Sequence, residues 1–374
     1  METSHDQEEW TQEERIRYSR HAVLPGFGWE GQQRLRSSKV FVVGAGGLGA
    51  PLLQYLTAAG IGRIGIADPD RVSLSNLQRQ VLFTVNDIGA PKVETAARSL
   101  SKLNPHVQFD LYPHAITREN AFELLSHYDI VADGSDNFST RYLVNDACVI
   151  LDKPLVYASI FRYEGQLSVF NYTPPNGQKG PNYRNLFPVP PEAGSVPTCV
   201  EGGVLGVLPG IIGCMQANEV LKIASGVGEP LSGKLCLFDA YSLSQRIIAL
   251  PSQAPYPITE LQDYEAFCGP IPGEIPEIIF TQLNRWQNEK MPIQLIDVRE
   301  SWEYEQENIG GTLIPLASLQ QKAAALSPEQ LTVVICQSGF RSAQAVRILQ
   351  EQFGFSEVYN LAGGIDAFRR GMSD

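Results

Sequence analysis

The 374-residue chain has no CxxC pair. Its six cysteines, at 148, 199, 214, 236, 268 and 336, are scattered singly. Their spacing suggests neither a disulfide framework nor a four-thiolate zinc site, and a reducing, cytosolic setting fits it. Positive charge is also short, with 29 Lys and Arg against 41 Asp and Glu and a formal charge of −12. That balance argues against a general binder of nucleic acid or of anionic membranes, and leaves room for a local basic site. No apolar run is clean enough to read as a membrane span. The most apolar stretch, GGVLGVLPGIIGCMQANEVLKIA at 202–224, is interrupted by Pro209, Gln216, Asn218, Glu219 and Lys222, and it reads as a buried helix. The opening METSHDQEEWTQEER is acidic and polar, without the apolar core of a secretion or transit segment. Internal repeats, low-complexity tracts and a Walker A sequence are missing too.

What is present is an α/β pattern, twice. Residues 38–68 read strand, glycine turn, helix, strand. VFVV is the continuous apolar run expected of a parallel strand covered on both faces, and Leu48, Leu52, Tyr55, Leu56 and Ala59 recur at helical spacing. DIVAD (129–133), LVYASI (155–160), QLSVFNY (166–172) and KLCLFD (234–239) are further strand candidates, which predicts a Rossmann-like domain with a mixed sheet over residues 1–250. A proline-rich loop fills 173–198, and six more prolines between 250 and 276 mark an interdomain linker at 251–276. The pattern then restarts with EIIF, TQLNRWQNE, IQLIDVRE, TVVIC, SAQAVRILQEQ and EVYNL. Residues 277–374 are therefore expected to form a second, smaller α/β domain.

Gly44-Ala45-Gly46-Gly47-Leu48-Gly49 matches GxGxxG after a strand and before a helix, the context in which a backbone turn approaches a phosphate. Asp68 ends the next strand, 19 residues after Gly49, where a ribose hydroxyl is held. By itself this reads as a nicotinamide oxidoreductase. The residues that follow shift the balance: Asn76, Gln78 and Arg79 within SLSNLQRQ, Lys92 in GAPKVE, Asp136 in SDN, and upstream Arg17 and Arg20 in RIRYSRH. Hydride transfer needs few of these cations. Three phosphates need several, with a carboxylate able to hold Mg²⁺. Taken singly, each has an ordinary alternative as a surface charge or a turn residue.

GAGGLG, SLSNLQRQ, GAPKVE, SDN and RYSRH together resemble the ubiquitin-activating-type adenylating enzymes of MoeB and ThiF kind, over about residues 10–250. The resemblance implies adenylation of the Gly-Gly terminal carboxylate of a ubiquitin-like sulfur-carrier protein with MgATP. In that reading Gly44, Gly46, Gly47, Gly49 and Asp68 hold the nucleotide, Asn76, Arg79 and Lys92 its phosphates, and Asp136 the Mg²⁺. Arg20 reaches into the partner subunit's site, which implies a homodimer. Cys199, in VPTCVEGG, stands where such enzymes can link covalently to the carrier, with an ordinary loop cysteine as the alternative. The family's paired zinc cysteines are replaced by Asn182 and Asn185 in NYRN and by a lone Cys268, so no zinc is expected.

CQSGFRS puts Cys336 at a strand end before a helix. Gly339, Arg341 and Ser342 fit an anion cradle in which amide N–H groups and the helix dipole stabilise a thiolate or persulfide. Arg341 either adds charge or orients the loop. With LIDVRE, IGGTLIPL and NLAGGIDAF, this segment resembles a rhodanese, although Asn308 stands where a His is usual. Four residues separate Cys336 from Arg341. The resemblance implies five in phosphatases of the same fold, so the shorter loop favours sulfur over phosphate. The implied chemistry is attack of a Cys336 persulfide on an acyl-adenylate to leave a carrier thiocarboxylate, with sulfur supplied by a cysteine desulfurase or by thiosulfate. Such a product would serve molybdopterin, thiamine or related sulfur metabolism in the cytoplasm, with no nucleic acid or membrane partner. A nicotinamide oxidoreductase with a sulfurtransferase appendage, or a carrier-recruiting module without catalysis, are the other readings.

Overall fold

The computed structural model describes residues 10–175, 177–191, 203–251, 257–268, 275–337 and 339–371. The chain divides into two units, Met1–Cys268 and Gly269–Asp374.

In the first, α1 (Gln12–Ala22) and α2 (Gly28–Ser37) precede β1 (Lys39–Val43), α3 (Gly49–Ala59), β2 (Arg63–Ala67) and α4 (Lys92–Leu103). Then come β3 (Gln108–Tyr112), α5 (Ala121–Ser126), β4 (Ile130–Asp133), α6 (Phe138–Ile150), β5 (Leu155–Phe161) and β6 (Glu164–Phe170). α7 (Tyr183–Leu186), α8 (Leu208–Ser225), β7 (Lys234–Asp239), β8 (Ser244–Ala249) and α9 (Tyr264–Phe267) complete it. The sheet order is β3-β2-β1-β4-β5-β6-β7-β8. The strands are parallel from β3 to β5 and antiparallel from there to β8, the mixed sheet read from the sequence.

Two apolar layers enclose the sheet. Leu52, Leu56, Val93, Leu208 and Ile212 lie in one, and Leu124, Leu125, Tyr142 and Val144 in the other. Each such side chain contributes about 1.5–3 kcal/mol on burial. The apolar stretch at 202–224 supplies α8, with Pro209 in its first turn, where a missing N–H costs nothing. Gln216, which had seemed an interruption, is buried and donates from Nε2 to the Asp133 and Val156 carbonyls, at 2.8 and 2.9 Å. β1 has β2 on one side and β4 on the other, so the chain leaves it at a topological switch point, where open α/β sheets bind ligands.

In the second unit β9 (Glu277–Ile278), α10 (Phe280–Asn288), β10 (Gln294–Asp297), α11 (Ser301–Gln306) and β11 (Thr312–Leu313) lead to α12 (Leu319–Lys322). β12 (Thr332–Ile335), α13 (Phe340–Phe353), β13 (Val358–Leu361) and α14 (Gly364–Gly371) follow. The order is β11-β10-β12-β13-β9, all parallel. β12 reads TVVI and is buried throughout. Part of the stretch read as linker packs on the first unit. Leu261 and Tyr264 are buried in its core, and the Tyr264 hydroxyl donates to Asp146 Oδ2 at 2.8 Å.

Candidate functional site

The glycine turn leaves β1 at Gly44, whose φ of +87° lies in the left-handed region that favours glycine. Gly49 is required for a different reason: a Cβ there would collide with the Gly44 carbonyl oxygen, closing the turn onto the start of α3. A Cβ on Gly46 would sit 3.6 Å from Gln80 Nε2, and one on Gly47 3.6 Å from Arg79 Cδ. The turn therefore faces the SNLQRQ segment directly.

Asp68 connects the two. Its Oδ2 accepts the Ala45 N–H at 2.8 Å, inside the glycine turn, and its Oδ1 accepts the Asp70 N–H at 2.9 Å. Burial raises its pKa, opposed by the Lys92 charge and the two N–H donors. Lys92 opens α4 and is buried. Its Nζ lies 2.7 Å from Asp70 Oδ2 and 3.7 Å from Asp68 Oδ1. Backbone pairing closes the base of the 70–92 loop: Lys92 N–H to the Asp70 carbonyl at 3.0 Å, Val72 N–H to the Ala90 carbonyl at 2.9 Å. Within that loop the Asn76 side chain accepts the Ser73 N–H at 3.2 Å, and Arg79 Nη1 donates to the Ser75 carbonyl at 2.9 Å.

On the β4 side a Cβ on Gly44 would lie 3.1 Å from the Gly134 carbonyl oxygen. The next residues carry Asp136, exposed just before Asn137, which caps α6 by accepting the Thr140 N–H at 2.8 Å. Behind this loop Asp133 is buried, its Oδ1 accepting the Ser135 N–H at 2.8 Å. Burial raises its pKa, with Arg141 opposing. Arg141 itself donates to the Ser135 carbonyl at 3.1 Å. The turn, the cationic loop and the Asp136 loop thus converge at one end of the sheet. An exposed carboxylate beside that turn is the hard oxygen donor that Mg²⁺ takes.

In the second unit Cys336 follows β12 and is 0% exposed. Its Sγ accepts the Gly339 N–H at 3.1 Å and the Ser342 hydroxyl at 3.2 Å. Gly339 caps α13 at φ +93°, where a Cβ would lie 2.9 Å from the Gly363 nitrogen. Arg341 does not turn to the sulfur. Nη1 and Nη2 pair with the two oxygens of Glu303, each at 2.7 Å, so of its two expected roles the geometry favours orienting the loop. The bond to Glu303 raises the Arg341 pKa. Burial pushes Glu303 up, but Arg341 and the Glu300 N–H outweigh it and leave it below its ordinary value. The first loop residue is pinned as well: Gln337 Nε2 donates to Asp366 at 2.6 Å, and its Oε1 accepts from Arg299 at 3.3 Å. The Cys336 sulfur thus faces two donors, one a backbone N–H and the other a hydroxyl.

A family model for the ThiF family matches residues 18–256, and one for the rhodanese-like domain matches residues 280–370. The chain belongs to the ThiF family. This ThiF-family chain is 43% identical over 372 residues to a Mycobacterium tuberculosis protein named probable adenylyltransferase/sulfurtransferase MoeZ, covering 97% of this chain and 94% of the relative. It is 52% identical over 267 residues to a sulfur carrier protein adenylyltransferase of Thermus thermophilus, covering 70% of this chain and 98% of the relative. Among solved structures, E. coli MccB with MccA-N7isoASN superposes with a TM-score of 0.58 at 22% identity, covering 66% of this chain and 74% of that one, a likeness of fold.

Within the ThiF-family unit one expected site residue stands apart from the glycine turn. Arg20 is exposed on α1. Its neighbours Arg17 and Tyr18 bond to Leu103 and Asn104 at the far end of α4, about a helix length, roughly 16–18 Å, from Lys92. Cys199 lies outside the described residues. Where zinc cysteines are expected of the family, Asn182 caps α7 through the Arg184 N–H at 2.8 Å and Asn185 accepts the Asn182 N–H at 2.9 Å. These amides are committed to backbone, and with the lone Cys268 they do not fit a tetrahedral zinc. Arg184 and Asp146 fill the place instead, as a buried pair with bonds of 2.8 and 2.6 Å.

Sequence reasoning missed Asp70, Gln80, Arg141 and Glu303. Gln80 was detectable from its place beside Arg79 and Arg141 from its place one helical turn into α6. The Asp70 and Glu303 contacts depend on chain closure that no local pattern encodes.

Proposed function

We propose that this chain adenylates the C-terminal Gly-Gly carboxylate of a ubiquitin-like sulfur-carrier protein and replaces one of its oxygens with sulfur carried on Cys336. What carries the reading is the Cys336 sulfur facing a backbone N–H and a hydroxyl in a chain whose other unit belongs to the ThiF family. The names of the relatives support it. MgATP supplies the adenylyl group that converts the carboxylate to a mixed anhydride, with pyrophosphate as the leaving group.

The glycines of the turn and Asp68 hold the nucleoside end. Asn76, Arg79 and Lys92 offset phosphate charge, and Asp136 holds the Mg²⁺. Fixed donors and cations of this kind lower the barrier of an anion-on-anion encounter. Arg20 serves the site of a second copy, in a homodimer. A persulfide on Cys336 then attacks the acyl carbonyl through its outer sulfur, AMP leaves, and an acyl disulfide forms. A thiol, of which Cys199 is one, attacks the Cys336 sulfur, so that the carrier thiocarboxylate leaves and a mixed disulfide remains. A second thiol, from an external reductant, cleaves that disulfide and frees Cys336. Arg341 fixes the loop through Glu303. A cysteine desulfurase or thiosulfate supplies the sulfur in a cytoplasmic pathway such as molybdopterin or thiamine formation, and no structural zinc is required.

Mass spectrometry of a candidate carrier incubated with the protein, MgATP and thiosulfate tests this. The expected product gains the mass difference between sulfur and oxygen. No gain with any Gly-Gly carrier, or a nicotinamide-dependent absorbance change instead, overturns the reading.

A further inference from the structure

Lys92 is paired before any phosphate arrives. Its side chain is 5% exposed, and its ammonium sits 2.7 Å from a carboxylate oxygen of Asp70, whose side chain is 66% exposed. Asp68 is a second acidic neighbour at 3.7 Å. The two carboxylates differ in freedom. Asp68 is buried and accepts two backbone N–H groups. The backbone of Asp70 is fixed through its N–H to Asp68 and its carbonyl to the Lys92 N–H. Its carboxylate lies on the solvent side, with Lys92 as its side-chain partner.

Around Lys92 the local charge is therefore one cation against two carboxylates, and an incoming polyphosphate adds more negative charge. An ammonium has three donors, so Lys92 keeps Asp68 in reach while exchanging Asp70 for a phosphate oxygen. Asp70 swings out cheaply because it is exposed and its backbone need not move.

We propose that Asp70 is a positioning residue that stands in for phosphate: it holds Lys92 at the phosphate position in the empty protein and yields it when the nucleotide binds. This rests on the adenylation reading above. The exchange makes each binding event slightly weaker and each release easier, since Asp70 recaptures Lys92 as the phosphates depart. Asp70 thus trades affinity for turnover in an enzyme that must discharge pyrophosphate and AMP in every cycle.

Calorimetric titration of the full chain tests this with three probes: MgATP, ATP without Mg²⁺, and adenosine. Asp70→Asn is expected to bind both forms of ATP about two- to tenfold more tightly than wild type, the range an ion pair of this exposure commands. Adenosine affinity should not change. Asp70→Ser should act in the same direction, guarding against a fault peculiar to one variant. Equal or weaker ATP binding in both variants overturns the proposal, as does a gain that adenosine shares, which would mean a change in loop shape. A loss seen only with Mg²⁺ overturns it in favour of a metal ligand. If the wild type binds adenosine and ATP not at all, the adenylation reading itself falls.

Discussion

Lys92 and Cys336 lie in different units, so each is removable without touching the other. Lys92→Ala is expected to lower carrier-dependent ATP–pyrophosphate exchange at least about 100-fold, as loss of a fixed charge-stabilising donor does. Sulfur loading of Cys336 from thiosulfate should survive. Cys336→Ala should do the reverse, leaving exchange intact and abolishing thiocarboxylate, by mass spectrometry of the carrier. If both activities vanish together in either variant, the proposed division of labour is wrong. Glu303 gives a pH signature. Its folded pKa is depressed, so it contributes stability above its unfolded value, near 4.3, and loses it as pH falls through the folded one. In urea denaturation of the second unit, the stability advantage of wild type over Glu303→Gln should therefore be largest near neutral pH and shrink as the pH falls below about 4, because only wild type carries this titrating contribution.

The grouping of residues that have a motif around them was legible in the sequence. Gly44, Asp68, Arg79 and Lys92 converge because a parallel strand, a tight turn and a helix start admit few arrangements. Asp70 was hidden because its role depends on which cation the closed loop brings beside it.

Among the elements, the place of the missing zinc cysteines is the most informative. Arg184 of α7 pairs with Asp146 of α6, and its guanidinium lies over Tyr142 at 4.9 Å and Phe267 at 4.5 Å. Tyr264 of α9 donates to the same carboxylate. Three helices are thus joined by one buried ion pair with aromatic walls. Removing one partner strands the other charge, at a cost of about 3–5 kcal/mol. Arg184→Met should show that loss in urea denaturation, while a chelator should leave wild-type stability unchanged. A large chelator effect would indicate a metal these residues do not explain. β-rich runs such as TVVI were legible as elements because buried parallel strands are uniformly apolar. β3 (QFDLY) and β8 (SQRIIA) were not, since edge strands exposed to solvent mix polar and apolar residues. The turn at Tyr264 was concealed by the prolines around it, although two buried side chains suffice to dock it.

At the scale of the whole molecule, the unit boundary after Cys268 predicts where the chain can be cut. A chain ending at Cys268 should retain exchange activity and lose sulfur transfer. One ending at residue 256 also loses Leu261 and Tyr264, and should melt at a lower temperature in calorimetry. Equal melting of the two would deny α9 its part in the first core. The sealed position of Cys336 has an effect on reactivity. At rest the thiol is 0% exposed, so any reagent, the sulfur donor included, reaches it slowly, whereas a second sulfur extends the nucleophile by about 2 Å. Iodoacetamide should therefore tag the charged protein and largely spare the empty one, giving a count of loaded molecules in a population.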